Sequence, residues 1–289
     1  MKKLIALVLT IPLCMSANKG LDFLYHHKLG QIIRSSLTGP LVSKTAGWYA
    51  DSSLSCRHIK PFIALHHINM DEAVESNPDN FSSFNDFFIR KLKPETRPID
   101  QSSNSVCSPA DGQLLILPNY HSNQTFTVKN VPFNLEKFFN NKEFADSFEG
   151  GTIVIIYLAP YDYHRFHFPF DCWASLPLRI NGKYESVHPI AYEAGIQPLT
   201  ENERILINFT TQSKQVAFVA IGALCVGKIT MTYNSAVNNH IKGTELGYFS
   251  FGGSTIVMAF AKDHFQPSLE FLNNCFNSIK MGQKIGMLL

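Results

Sequence analysis

From residue 113 onward the apolar positions fall into short runs bounded by turn-forming residues, and the pattern predicts strands at 113–117, 125–129, 152–158, 204–211, 216–231 and 255–261. Partial alternation in Ile205-Leu206-Ile207-Asn208-Phe209 and in Lys228-Ile229-Thr230-Met231-Thr232 suits half-buried antiparallel strands. The unbroken run Ile153-Val154-Ile155-Ile156 suits a strand covered on both faces. Upstream the period changes. Leu21, Phe23, Leu24, Leu29, Ile32 and Ile33 recur at helical spacing, Gly39-Pro40 punctuates them, and residues 18–75 read as helical or irregular. A further helix is expected over 81–92, with Phe84, Phe87, Phe88 and Leu92 on one face and Pro94 and Pro98 to end it. Its basic end, Arg90, Lys91, Lys93 and Arg97, reads as a solvated face. The fold class is therefore α+β: a helical region, 1–75, packed on a β-rich antiparallel core, 76–289.

Composition adds limits. A chain of 289 residues with 45% hydrophobic and 17% charged residues is long enough to bury an enzyme's core, and a net charge of +2 gives it no bulk attraction to nucleic acid. The six cysteines lack paired spacing, which argues against a disulfide framework or a structural zinc site and for a reducing compartment. At the N-terminus, Lys2-Lys3 precede an apolar run from Leu4 to Leu13. That run is short of the roughly 20 residues that span a bilayer. Its length fits a signal peptide, but Cys14 and Met15 make a poor cleavage site. The other reading is a membrane-surface anchor continuing into Tyr25-His26-His27-Lys28, with Arg34 and Lys44 beyond.

Three stretches carry chemistry. Gly252-Gly253-Ser254 interrupts an apolar run where glycine is a poor choice for stability, and it places a hydroxyl beside a carbonyl open to close approach. That suits an N→O acyl shift; a β-bulge or tight corner explains the glycines equally well. Asp111, followed by Gly112, reads on its own as a turn aspartate. His164 and His167 follow the apolar strand among aromatic residues; with no HExxH or Cys/His partner set, zinc is not expected. If that segment is extended, the two imidazoles face opposite ways and have different tasks. Asp111, one of the histidines and Ser254 can form an activated-nucleophile set.

Ser-Pro-Ala-Asp-Gly at 108–112, Tyr-His-Arg-Phe-His at 163–167 and Gly-Gly-Ser-Thr at 252–255 resemble, in order and spacing, the signatures of the phosphatidylserine decarboxylase family. Phe84-Asn85-Asp86-Phe87-Phe88, Arg97-Pro98-Ile99-Asp100, Asn202-Glu203-Arg204 and Lys242-Gly243-Thr244-Glu245-Leu246-Gly247 extend the likeness over about residues 35–262. The resemblance implies that Ser254 attacks the Gly253 carbonyl and splits the chain into 1–253 and 254–289. The new terminus at Ser254 then becomes a pyruvoyl group, which forms a Schiff base with phosphatidylserine and yields phosphatidylethanolamine and CO2. By the same resemblance His167 is the base for cleavage, Asp111 orients it, His164 serves decarboxylation, Ser186 lies near the substrate, and no metal is needed. It further implies peripheral attachment to the cytoplasmic face of the membrane through the N-terminal end, which favours the anchor over the signal peptide, and it admits a homodimer.

Two positions depart from the family pattern. Gly252 replaces a leucine, which is expected to loosen the turn, and His188 replaces an asparagine two residues after Ser186. Two rival readings remain at this stage. One is a Ser-His-Asp hydrolase acting on an external ester or amide with its own backbone intact, although the Gly-x-Ser-x-Gly elbow is missing. The other is a non-catalytic β-rich binding module.

Overall fold

The computed structural model describes residues 17–122, 126–128, 131–211, 214–224, 228–237, 239–252, 254–273 and 275–289. The apolar run 4–13, Cys14, Thr125, Lys129, Cys225 and Gly253 lie outside them.

The N-terminal part is helical, as its periodicity predicts: α1 (Ala17–His26), α2 (Lys28–Leu37), α3 (Pro40–Ala50) and α4 (Ile59–His66). The helix expected over 81–92 is shorter, α5 (Phe84–Phe88). Ser83 is extended and caps it, its hydroxyl accepting from the Asp86 amide at 3.1 Å. Beyond the helix, the Val74 amide donates to the Lys91 carbonyl and the Lys93 amide to the Glu72 carbonyl, so residues 91–93 pair with 72–74 instead of winding on. The aromatic face is as expected. Phe84, Phe87 and Phe88 share one core with Leu21, Leu24, Tyr25, Phe62, Leu224 and Phe251. Arg90 and Arg97 correct the solvated-face reading: both are buried, while Lys91 is exposed and Lys93 half-buried.

Among the described residues, all pairings between strands are antiparallel. The main sheet runs in the order β15 (Asn277–Ile279), β2 (Gly112–Leu117), β5 (Thr152–Leu158), β13 (Ser254–Phe260), β10 (Lys214–Ile221), β9 (Arg204–Thr211) and β7 (Trp173–Ala174), with β8 (Leu178–Ile180) also on β9. Alternate residues feed two cores. Val154, Ile156, Phe218, Ile256 and Met258 point to one face, and Ile153, Ile155, Val219, Val257 and Ala259 to the other, so β5 is covered on both sides. On the first face lie two small sheets: β11 (Ile229–Met231), β12 (Glu245–Phe249) and β6 (Arg165–His167), and β1 (Ser105–Cys107), β16 (Lys284–Leu288) and β14 (Phe265–Pro267). The single strand expected over 216–231 is thus two, β10 and β11, in different sheets, and the one expected over 125–129 is β3 (Phe126–Val128), paired only with β4 (Val131–Phe133) among the described residues. Helices α6 (Leu135–Phe139) and α7 (Lys142–Asp146) cover the second face.

Register puts the chemistry in one corner. Ser254, at the start of β13, pairs with Leu158 at the end of β5, and the chain leaving β5 turns through residues 159–163 into His164 and β6.

Candidate active site

Ser254 is fully buried, and its Oγ has no hydrogen-bond partner. A hydroxyl withdrawn from water without compensation costs about 1–3 kcal/mol, so this one is a candidate for a role other than stability. The residues ahead of it are firmly held. The Ser250 amide donates to the Lys228 carbonyl and the Phe251 amide to Asn85 Oδ1 at 2.9 Å, while the Phe251 ring packs edge-on against Phe84 and Phe88. Gly252 has φ +139°, a conformation that a side chain makes unfavourable, so the glycine in place of the family's leucine supports an unusual backbone just before the reactive pair.

His164 lies against this segment. Its ring packs against Phe88, tilted by 37° with centroids 4.0 Å apart, and its carbonyl accepts from the Phe249 amide. Nδ1 sits 2.9 Å from the Asp162 carbonyl, which only accepts, so Nδ1 carries the proton and Nε2 a lone pair. Nε2 has no hydrogen-bond partner; the Gly252 carbonyl favours the charged ring without completing a bond to it. Burial pushes the His164 pKa down to about 3, with the Arg90 charge adding to the effect, and the imidazole is neutral at physiological pH. Asp162 moves the other way: burial raises its pKa to about 7 despite the Ala159 amide and the Arg90 and Arg97 charges.

His167 is placed differently. Its Nδ1 donates to the Gly243 carbonyl at 3.0 Å, and its Nε2 accepts from the Tyr163 hydroxyl at 3.0 Å. Burial lowers its pKa, opposed by the Gly243 carbonyl and the charges of Glu245 and Asp111. Asp111 is near, because the His167 amide donates to the Pro109 carbonyl, but no hydrogen bond joins the two side chains. The Asp111 carboxylate is taken by Arg97 Nε at 2.9 Å and Nη2 at 2.5 Å and by the Met281 amide at 2.8 Å; Arg97 Nη1 goes on to Glu72 at 2.9 Å. The glycine after Asp111 is required, since at φ +151° an added Cβ would lie 2.3 Å from the Tyr157 carbonyl of β5. A cavity of about 270 Å³, lined by Arg97, Tyr163, His167, Gly243 and Met281 among others, opens on the His167 side.

Ser186 is buried, its Oγ accepting from the His188 amide at 3.1 Å, and the next residue, Val187, packs with Ala223 against Tyr157 of β5. His188 caps α8 (Pro189–Glu193), its Nδ1 accepting from the Ile190 amide, a task an asparagine would also perform. Arg97, Tyr163, Gly243 and Asn85 escaped the reading of residues for chemistry. The family-like runs containing them were the one available signal, because side chains so distant in sequence meet only through the fold.

No group of three or more His, Cys, Asp or Glu among the described residues is placed to hold a metal ion. A pyruvoyl group made from residue 254 fits what is there: an unpartnered buried oxygen opening a central strand, with a neutral imidazole nitrogen left free in the same corner.

The family model for phosphatidylserine decarboxylase matches residues 84–287. Among curated proteins, the phosphatidylserine decarboxylase proenzyme of Chlamydia trachomatis serovar L2 is 36% identical over 271 residues, 91% of this chain and 89% of its own length. That of Chlamydia pneumoniae is 38% identical over 266 residues, 91% and 86% of the two chains, and that of Chlamydia muridarum 36% over 282 residues, 95% and 92%.

Proposed function

The chain belongs to the phosphatidylserine decarboxylase family and is a decarboxylase, and from that premise we propose that it converts phosphatidylserine to phosphatidylethanolamine and CO2 through a pyruvoyl group made from its own Ser254. The buried, unpartnered Ser254 hydroxyl behind a glycine at φ +139° is the observation that carries the mechanism. In maturation, Ser254 Oγ adds to the Gly253 carbonyl carbon and the Gly253–Ser254 C–N bond breaks, giving an ester and a free amine. Loss of the Ser254 Cα proton expels the Gly253 carboxylate; water then enters, ammonia leaves, and chains 1–253 and 254–289 result. The pyruvoyl group would supply an electrophilic carbonyl that accepts the electron pair released with CO2.

The other residues divide the work. His167, within the field of Asp111 and hydrogen-bonded to Tyr163, serves maturation. His164 holds a buried Nε2 lone pair, its ring oriented by the Asp162 carbonyl, and handles the proton of turnover. Ser186 lies on the substrate side. Association with the cytoplasmic membrane surface is part of the proposal. Leu29, Ile32 and Trp48 are 62%, 71% and 78% exposed on the helices that also carry Lys28, Arg34 and Lys44, while no helix among the described residues is long and apolar enough to cross a bilayer.

The test is release of labelled CO2 from carboxyl-labelled phosphatidylserine vesicles, with and without hydroxylamine. Release that hydroxylamine abolishes is expected; release indifferent to this carbonyl reagent contradicts the pyruvoyl reading.

A further inference from the structure

Helix α1 reaches the substrate side of the site through one side chain. Tyr25 is completely buried, its hydroxyl donating to Glu185 Oε2 at 2.9 Å and accepting from the Ser186 amide at 2.7 Å. Burial and the Glu185 charge keep the phenol protonated, so both bonds hold across the physiological range. Glu185 is fixed from other directions as well. Thr38 Oγ1 lies 3.4 Å from its carboxylate and Arg34 Nε 3.7 Å, both from the helical layer. Asn202 clamps its backbone, accepting from its amide and donating to its carbonyl, each at 2.8 Å.

From this peptide the contacts run to the reactive strand. The Leu224 amide donates to the Glu185 carbonyl, Val187 packs with Ala223 against Tyr157, and Tyr157 is the register partner of Thr255, the residue after Ser254. The remaining contacts of α1 are largely apolar packing; this one is directional and ends on the main chain of Ser186. Without the hydroxyl, the buried Ser186 amide loses the partner that sets its orientation.

We infer that α1 is part of the substrate site, with Tyr25 as the positioning residue that orients the Glu185–Ser186 peptide toward the phospholipid. The inference rests on the proposed reading of Ser186 as a substrate-side residue. It separates two activities of one protein: the Tyr25 hydroxyl is bonded to Glu185 and Ser186 and not to Ser254, His164, His167 or Asp111, so it matters for turnover and not for self-cleavage. The N-terminal helices are then more than an attachment device. Their docking completes the site, and a membrane that displaces α1 would change substrate affinity directly.

The experiment compares wild type with Tyr25→Phe, which keeps the buried ring. Processed fraction is read by denaturing mass and turnover by CO2 release from phosphatidylserine in mixed micelles. Full processing with KM raised about tenfold and kcat within about twofold is expected, the size set by loss of a hydrogen bond shared with a charged group. Unchanged KM, or a loss of activity that merely follows an unprocessed fraction, overturns the inference. Should Tyr25→Phe not be recovered folded, Glu185→Gln removes the charge that anchors the Tyr25 hydroxyl beneath the Ser186 amide and is held to the same outcomes. Wild type that releases no CO2 would instead overturn the decarboxylase reading on which the inference stands.

Discussion

Two histidines three positions apart end up with opposite surroundings, and the difference is a matter of single hydrogen bonds. His167 has both ring nitrogens engaged, by Gly243 and Tyr163, whereas His164 has one fixed and one bare. His167→Ala is expected to accumulate uncleaved precursor and His164→Ala to cleave but lose most CO2 release; normal cleavage and turnover in both would refute the division of labour. The His164 environment also has a pH signature. Its pKa is about 3 folded and about 6.5 unfolded, so below pH 6.5 the unfolded chain takes up a proton that the folded one refuses, and stability falls on acidification. Asp162, raised to about 7, acts in the opposite sense, its contribution being lost as pH rises from about 3.8 to 7. Urea unfolding of Ser254→Ala with and without His164→Phe isolates the imidazole. The chain retaining His164 should lose about 2 kcal/mol more than its partner between pH 7 and pH 5, and an equal loss would contradict the burial. At this scale the sequence named the reactive types but not their partners, because a carbonyl such as that of Gly243 is invisible in any residue pattern.

Elements were legible where periodicity was strong and hidden where polar groups set the boundaries. β5 and β9 match their predicted limits, since continuous or alternating apolar runs leave little choice of register. The helix at 81–92 shrank to five residues because Ser83 starts it and the bridge to residues 72–74 ends it, neither being an apolar signal. The same bridge brings Arg90 and Arg97 inside, against the expectation for a basic run. Arg97 then joins three segments: Glu72 before the helix, Asp111 before β2, and, through Asp111, the Met281 amide beyond β15. Arg97→Ala should therefore cost roughly 3–5 kcal/mol, the usual penalty for stripping one partner from a buried ion pair, read from the urea midpoint of the Ser254→Ala precursor. A cost under 1 kcal/mol would mean that the clamp is dispensable.

Across the whole molecule, the strand that begins at Ser254 lies between β5 and β10 with all seven residues buried, so cutting the chain before it leaves the sheet intact. The last strands return to earlier parts of the chain, β15 to β2 and β16 to β1. Chains 1–253 and 254–289 should co-elute in native gel filtration and separate only in denaturant. On the outside, Ile32→Asp with Trp48→Asp should weaken sedimentation with anionic liposomes severalfold while leaving cleavage unchanged, and unaltered sedimentation would remove these helices from the membrane contact. The class of this architecture, helices on an antiparallel core, was readable from the shift between helical and strand periods; that the helices share a core with Phe251, three residues before Ser254, was not. The most direct measurement is the intact mass of the freshly purified, denatured protein beside Ser254→Ala. Wild type should give two chains, the smaller beginning with a carbonyl in place of an amine, and the variant one uncleaved chain; a single full-length mass in a wild-type preparation that still decarboxylates phosphatidylserine would contradict self-processing.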